Sequence, residues 1–403
     1  WYINNFYFFM KEIQKMINNE YKYILRNTTK WEKIFFKDFF WSIISFRTTV
    51  MKNLTLKKYK KVDKQTEKIK HFFEKENFKD FSLKIEKRCF NLLWEITDKD
   101  YICIDEVDIA KQYAKKMEAL AKVRDWSTWN IVSWYMFHWV SIRWIPVILE
   151  YEDLTNKYKS EYFWSIIERI LKYSKWKWTL VLDAWYDIAA YIDFLNQKWA
   201  KYIIRAKKDR LFFDVENKKV LKLKDFKDWV HKVIIWKNQD EIYLHIKTNP
   251  KFSEPMRILS NSKEIRISEY SKRWEIESIF KTMKQEFELE KIQTSSLIVL
   301  KNIVASIQLA MALSRTVYNQ TNSFKDVSRV ILSNRFISRF KRHSQSLWLT
   351  MNSNSIVKFI SYCLQKLYKI PKNKPQNNIN KNNRVSAQLS LFSCISLWKS
   401  REI

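Results

Sequence analysis

The chain has 403 residues, of which 74 are lysine or arginine and 43 are aspartate or glutamate, so its formal net charge is +31. With 46% hydrophobic residues it can bury a substantial core. The excess of positive charge favours a polyanionic partner, and nucleic acid is the usual one, although a lysine-rich composition also accompanies AT-rich coding.

Cysteine spacing and the longest apolar run argue against two other classes of protein. The four cysteines are scattered and form neither a zinc-ligand nor a disulfide pattern, which suits a reducing cytoplasm. They are Cys89, Cys103, Cys363 and Cys394. No signal peptide is recognised. Residues 295–313 are apolar but include Lys301 and two polar amides, so we interpret them as an amphipathic core helix rather than a membrane span.

The composition is anomalous in its glycine content. The chain contains none, and it contains 19 tryptophans, whereas ordinary usage of about 7% glycine would give about 28 glycines. Trp126, Trp144 and Trp199 stand in turn-like contexts, where glycine takes a positive φ without strain and tryptophan does not. Our hypothesis is that most tryptophans are UGA codons which the source organism reads as glycine. The alternative is an unusual but real composition.

In chain order, residues 1–95 are predicted to be helical, basic and aromatic, with a possible DNA-binding role but no clear helix-turn-helix pattern. Three strands, a helix, a strand, a helix and a strand then follow. Their predicted bounds are 101–104, 130–138, 140–150, 156–174, 178–182, 187–197 and 201–205. This order is that of the ribonuclease H-like fold, an α/β architecture.

The remaining regions are assigned by composition and periodicity. Residues 211–260 alternate like strands and are predicted to be a β-rich insertion, with a hairpin formed by 231–235 and 241–247. We place the core domain at 96–320 and a C-terminal helical region at 321–368. Residues 369–403 are predicted to be a flexible, basic tail, since their first part is rich in Pro, Asn and Lys.

One stretch, residues 270–284, carries the most chemical information. It reads YSKRWEIESIFKTMK, contains no helix breaker, and repeats apolar residues at helical spacing. At about 100° per residue, four polar side chains fall on one face about 60° wide. They are Tyr270, Arg273, Glu277 and Lys284. Taken alone, such a face is usually solvated, with an Arg–Glu pair worth a few tenths of a kcal/mol.

The spacing Tyr-x2-Arg-x3-Glu-x6-Lys resembles the YREK signature of DDE transposases of the insertion-sequence-four type. The neighbouring Trp274 and Ile276 also match that signature, so Trp274 is the best candidate for a genuine tryptophan. The resemblance covers about residues 95 to 320. It implies that Glu277 is the third metal-binding acid and that two aspartates lie upstream, each at the end of a buried strand.

Asp105 and Asp183 are the candidates for those two acids, since each directly follows a predicted strand. Asp183-Ala184-Trp185-Tyr186 resembles the family's Asp-Arg-Gly-Phe/Tyr turn, except that Ala184 replaces the usual arginine and Trp185 the glycine. Asp108 is the rival for the first position and Asp187 for the second.

The proposed set Asp105, Asp183 and Glu277 supplies hard oxygen ligands, which suit two Mg²⁺ or Mn²⁺ ions. Tyr270, Arg273 and Lys284 are predicted to hold DNA phosphates. A basic group after the last core strand either extends this phosphate track or forms a solvated loop. Its members are Arg205, Lys207 and Lys208. We interpret His138 as a packed strand residue rather than a ligand.

These features predict an insertion-sequence transposase that cleaves DNA at element ends and transfers the strand into target DNA. The partners are DNA and a second copy of the chain on that DNA; no membrane and no small-molecule cofactor is expected. The expected location is the bacterial cytoplasm, in association with the nucleoid. The alternatives are a nuclease or resolvase of the same fold without strand transfer, and a catalytically dead DNA-binding relic.

Overall fold

The computed structural model describes residues 19, 22–26, 28–46, 51, 54, 62–93, 95–111, 117–124, 130–154, 159–174, 178–235, 240–250 and 254–317. The chain divides into two units, Trp1–Ser333 and Asn334–Ile403, and all of these residues belong to the first. The helical region predicted at 321–368 and the tail predicted at 369–403 lie outside the described residues.

Among the described residues, three α-helices of 12 residues or more precede the sheet. They are α1 (Lys30–Phe46), α2 (Val62–Phe73) and α3 (Phe81–Leu92). Phenylalanines at helical spacing give each an apolar face, and these faces meet: the ring of Phe39 lies 5.1 Å from Phe73, and that of Phe36 lies 5.5 Å from Phe81. The helical character predicted for the start of the chain is therefore confirmed for these segments.

The strands of the described residues join into one 11-stranded mixed sheet. They are β1 (Asp100–Ala110), β2 (Ala121–Arg124), β3 (Ile131–Ile142), β4 (Ile145–Glu152), β5 (Trp178–Leu182), β6 (Lys201–Arg205), β7 (Leu211–Asp214), β8 (Lys219–Lys222), β9 (Val230–Ile235), β10 (Glu241–Lys247) and β11 (Met256–Ser260). The order is β2-β3-β1-β5-β6-β11-β10-β9-β7-β8, and β4 also pairs with β3. β5 is parallel to β1 and β6 is parallel to β5.

Four further α-helices of the described residues accompany this sheet, which makes the described fold mixed α/β. They are α4 (Lys159–Tyr173), α5 (Ala189–Gln197), α6 (Trp274–Glu286) and α7 (Leu297–Val317). α7 is largely buried, and its Asn302 amide donates to the carbonyls of Phe73 and Phe78, both at 3.2 Å, which ties it to the N-terminal helices. No helix in the described parts of the chain is long and apolar enough to cross a membrane.

The first strand is longer than predicted. We expected it to end at residue 104, but β1 continues to Ala110. The reason is its antiparallel partner β3, which pairs with β1 from Ile102↔Ile142 to Ala110↔Trp134 and so satisfies the backbone beyond the last contact with β5. Asp105 thus lies inside a strand rather than after one.

The predicted break between 138 and 140 is also wrong, because β3 runs without interruption to Ile142. The turn comes at Arg143 and Trp144, whose φ values are 51° and 66°. Trp199, which follows α5, likewise has a φ of 55°. Two of the suspected glycine positions therefore adopt the left-handed backbone that glycine favours.

The predicted β-rich region and its hairpin are confirmed: β9 and β10 pair antiparallel, with Glu241 opposite Ile234. The region does not form a separate sheet, since β11 pairs with the edge of β6 at Leu259↔Ile204. The signature stretch also differs from the prediction. Residues Ile267–Arg273 form a 3-10 helix, started by the side chain of Glu269 accepting from the backbone N–H of Arg266 at 3.2 Å, and the α-helix begins only at Trp274.

Candidate catalytic site

Two aspartates lie side by side at the centre of the sheet. The parallel pairing of β1 with β5 ends at Ile104↔Leu182, and the next residue on each strand is Asp105 and Asp183. Neighbouring strands are about 4.8 Å apart, so this register places the two carboxyl groups on adjacent backbones at one level of the sheet. Their proximity also appears in the pKa of Asp105, which the charge of Asp183 raises.

Arg273 connects Glu277 to Asp105, and Tyr270 contacts Asp183. Arg273 donates from Nη1 to Oδ2 of Asp105 at 2.9 Å, and its Nη2 forms an ion pair with Glu277. The Tyr270 hydroxyl donates to Oδ1 of Asp183 at 3.2 Å. The 3-10 geometry explains this arrangement, since residues three apart in such a helix point the same way, and Arg273 and Glu277 are then four apart across the start of α6.

α6 is held against the sheet by an apolar face and by one buried carboxylate. Ile276, Ile279 and Met283 are buried, and the side chain of Glu275 accepts a hydrogen bond from the backbone N–H of Trp144 in the β3–β4 turn. Since Glu275 and Glu277 are two apart on the helix, the first faces the turn while the second faces the aspartates. The turn at Trp144 therefore helps to position Glu277.

The site is only partly open to water, and this shifts the pKa values of its acidic groups. The Asp105 side chain is 15% exposed. Burial raises the pKa of its carboxyl to about 7, although the Arg273 charge works in the opposite direction. Burial also raises the pKa of the Tyr270 phenol, and the neighbouring Asp183 charge raises it further. A divalent cation at this edge would favour the ionised form of Asp105.

Asp108 and Asp187, the alternative candidates for the two metal-binding aspartates, have other partners. Asp108 accepts from Nζ of Lys284 at 2.9 Å. Asp187 is fully buried, accepts from the backbone N–H of Lys207 at 2.8 Å, and pairs with Arg210 at 2.6 Å. Asp187 therefore fixes the loop after β6, and Lys284, the last signature residue, reaches the end of β1 rather than the two aspartates.

The basic group after β6 lies beside the site. Arg205 ends β6 and is exposed, and its charge partly opposes the rise that burial causes in the pKa of the Tyr270 phenol. Lys207 and Lys208 follow on the exposed loop, where Lys208 pairs with Glu254 at 2.6 Å. The described structure thus connects Asp105, Asp183 and Glu277 through Tyr270 and Arg273, whereas Lys284 and Lys208 pair with other carboxylates.

Sequence reasoning missed one cluster. His138 is buried, as predicted, but it also contacts two acids: its Nε2 lies 2.9 Å from Oε2 of Glu152, and its Nδ1 lies 3.8 Å from Oε1 of Glu106. These three form a group of described residues that could hold a metal ion. The cluster is separate from Asp105, because adjacent residues of a strand point to opposite faces. Only the register of β1, β3 and β4 could have shown it.

Comparison with known families agrees with this geometry. A family model described as the transposase DDE domain matches residues 147–313, which include Asp183 and Glu277 and begin in β4. Residues 147–313 are therefore similar to a transposase DDE domain, which supports a transposase function for the chain. No curated protein matches the chain.

Several solved chains are also similar to this one, and we give one of them. It is the cryo-EM structure of a piggyBac transposase synaptic complex with hairpin DNA. Its TM-score is 0.44 at 11% sequence identity, over 88% of this chain and 78% of that one.

Proposed function

We propose that this chain is an insertion-sequence transposase of the insertion-sequence-four type, which cleaves DNA at the ends of its element and transfers the strand into target DNA. The observation that supports this proposal is a set of contacts, in which Arg273 pairs with Asp105 and Glu277 while Tyr270 donates to Asp183. The strand order β4-β3-β1-β5-β6, with β1, β5 and β6 parallel, supports a ribonuclease H-like core for that site.

The three acids fit the divalent ions that such chemistry uses. All are carboxylates, the donor type preferred by Mg²⁺ and Mn²⁺, and the Arg273 guanidinium already lies between Asp105 and Glu277 as a positive group. We propose that the three carboxylates hold two such ions. When bound, the ions would activate the attacking oxygen and stabilise the leaving one.

The hydrogen-bond donors around the three acids have a different role in this proposal. Arg273 and Tyr270 hold the carboxylates in position. On a DNA end they would donate to phosphate oxygens, Arg273 with two parallel N–H groups. Lys284 and the exposed Arg205 would extend the phosphate contacts on either side, followed by Lys207 and Lys208. The net charge of +31 favours DNA as the polyanion in this interface.

The proposed assembly is a dimer that brings two element ends together, acting at the bacterial nucleoid. We propose that the chain consists of an N-terminal region at 1–95 with a possible role in DNA binding, and a catalytic domain at 96–320 with the β-rich insertion at 211–260. β11 pairs with β6, so the insertion extends the sheet that carries the proposed acids.

Glu277→Gln tests the catalytic assignment. The change keeps the size of the side chain and removes one carboxylate charge, so cleavage of element-end DNA in Mg²⁺ should fall by several orders of magnitude while gel-shift binding persists. Glu168→Gln, the same change on an exposed position of α4, is the matched control and should cut normally. Normal cleavage by Glu277→Gln would refute the assignment, and cleavage without strand-transfer products in the parent would indicate a nuclease.

A further inference from the structure

We propose that Glu106, His138 and Glu152 form a second metal site, suited to Zn²⁺ or a similar transition-metal ion, on the face of the sheet opposite the three catalytic acids. This site is distinct from the proposed function and does not depend on it. It would link β1, β3 and β4 directly behind Asp105.

The sheet register builds this cluster. Glu106 on β1 is directly opposite His138 on β3, and the next strand places Glu150 opposite His138 on its other side. Glu152 is two residues beyond Glu150, so it projects from the same face of the sheet. Three neighbouring strands therefore contribute one ligand each, and β-sheet positions hold ligands more rigidly than loop positions do.

Glu106 lies beside Nδ1 of His138 and Glu152 beside Nε2, so one ion binds all three residues only when a side chain turns. One ligand atom from each residue can be chosen so that all three lie within 4.8 Å of one another. Two atoms bound to the same zinc ion at about 2.0–2.2 Å are themselves about 3.5 Å apart in tetrahedral geometry, close to the 3.8 Å between His138 Nδ1 and Glu106 Oε1. The Tyr162 ring stacks on the imidazole at a centroid distance of 6.1 Å and fixes its plane.

Two buried polar atoms point independently to a ligand. Neither His138 Nδ1 nor the Tyr186 hydroxyl has a hydrogen-bond partner within the described part of the chain. His138 is 4% exposed and Tyr186 is 2% exposed. Burial raises the pKa of the Tyr186 phenol, and the charges of Glu106, Asp105 and Glu152 raise it further. Natural proteins rarely leave such buried groups unsatisfied, and a bound ion would engage them.

The donor set selects the kind of ion. Two carboxylates with a neutral imidazole carry two negative charges, which one divalent ion neutralises in a site that is otherwise costly to bury. A nitrogen ligand favours zinc and similar late transition-metal ions over magnesium, which prefers oxygen ligands. The Glu106 side chain is 33% exposed and provides a path for the ion.

The test is a Co²⁺ titration of the full chain after chelator treatment, followed by visible absorption. Co²⁺ with a histidine ligand and few ligands in total gives visible d–d bands that carboxylate-and-water coordination gives only weakly. We expect these bands in the parent and in Glu277→Gln, since the latter alters only the opposite face. His138→Gln should lose them, whereas His245→Gln, another buried histidine, which contacts the Ser262 carbonyl, should retain them.

A second variant covers a failure of His138→Gln to fold. Glu106→Gln changes a partly exposed side chain without changing its size, and it should also abolish the bands while its circular dichroism matches the parent. Addition of Zn²⁺ should raise the melting temperature of the parent and leave that of Glu106→Gln unchanged. Absence of the bands from the parent would overturn the proposal, as would their persistence in a folded His138→Gln or Glu106→Gln.

Discussion

Arg273 donates from Nη1 to Oδ2 of Asp105 at 2.9 Å, and this hydrogen bond joins the signature segment to the central strand of the sheet. The same guanidinium pairs with Glu277 four residues along. One side chain thus gathers two acids that are far apart in sequence. The signature arginine therefore has two possible partners, the chain's own carboxylates and a DNA phosphate, which leads to the first prediction.

Arg273→Ala should change metal and DNA binding in opposite directions. Without the guanidinium, Asp105 and Glu277 lose a shared positive partner, so Mg²⁺ should bind the DNA-free chain more tightly, by about 1 kcal/mol. Element-end DNA should bind more weakly by about 1.5–3 kcal/mol, because a charged hydrogen-bonding group is lost. Calorimetry with Mg²⁺ and a gel shift measure the two effects. Arg257→Ala, at a described arginine on β11, is the control, and parallel losses of both affinities in Arg273→Ala would contradict this role.

Asp105 makes the stability of the metal-free chain depend on pH. Its carboxyl has a folded pKa of about 7, above the ordinary 3.8, so the folded state binds the proton more tightly than the unfolded state. The stability that this provides is present below about pH 4 and is lost as the pH rises to about 7, by up to about 1.4 kcal/mol per pH unit.

Asp105→Asn should remove this dependence. In metal-free buffer the variant should unfold at higher urea concentration than the parent at about pH 8, with the difference shrinking toward about pH 4. Asp209→Asn, on the loop after β6, provides the same chemical change away from the site. A constant difference between Asp105→Asn and the parent at all pH values would show that Asp105 is not the titrating group.

Glu275 should position α6 rather than take a direct part in DNA cleavage. Its carboxylate is buried and accepts from the backbone N–H of Trp144, and burial raises its pKa to about 7. Glu275→Ala would leave that N–H without its acceptor, at a cost of about 1–3 kcal/mol, and would loosen α6. Cleavage and urea stability should therefore fall together. Glu275→Gln keeps an acceptor and should preserve both, whereas loss of cleavage with full stability in Glu275→Gln would assign Glu275 a direct role.

Trp199→Gly should stabilise the chain. Trp199 has a φ of 55° and is 87% exposed, so the substitution removes backbone strain and little packing. The expected gain is about 1 kcal/mol in the free energy of unfolding, reduced by the greater entropy of glycine in the unfolded chain. Trp229 is 73% exposed and is not among the positive-φ residues, so Trp229→Gly should give no gain. Equal effects of the two substitutions would argue against the glycine interpretation at position 199.

The sequence by itself determined the elements whose signals are local. The apolar runs of β5 and β6 bury both faces and were predicted with their bounds, and the β9–β10 hairpin follows from alternation around a polar turn. The signature also predicted that Tyr270, Arg273 and Glu277 act together. Their spacing works because residues three apart align in the 3-10 helix that holds Tyr270 and Arg273, and residues four apart are neighbours at the start of the α-helix that holds Glu277.

Only the tertiary structure decided how distant segments meet. Nothing local extends β1 through Asp105; its pairing with β3 does so, because the antiparallel partner satisfies backbone groups beyond the reach of β5. The His138 cluster likewise depends on the register of three strands, and a shift of one residue would have turned His138 to the other face. Periodicity identifies a strand, whereas register is a property of pairs, so a single segment cannot encode it.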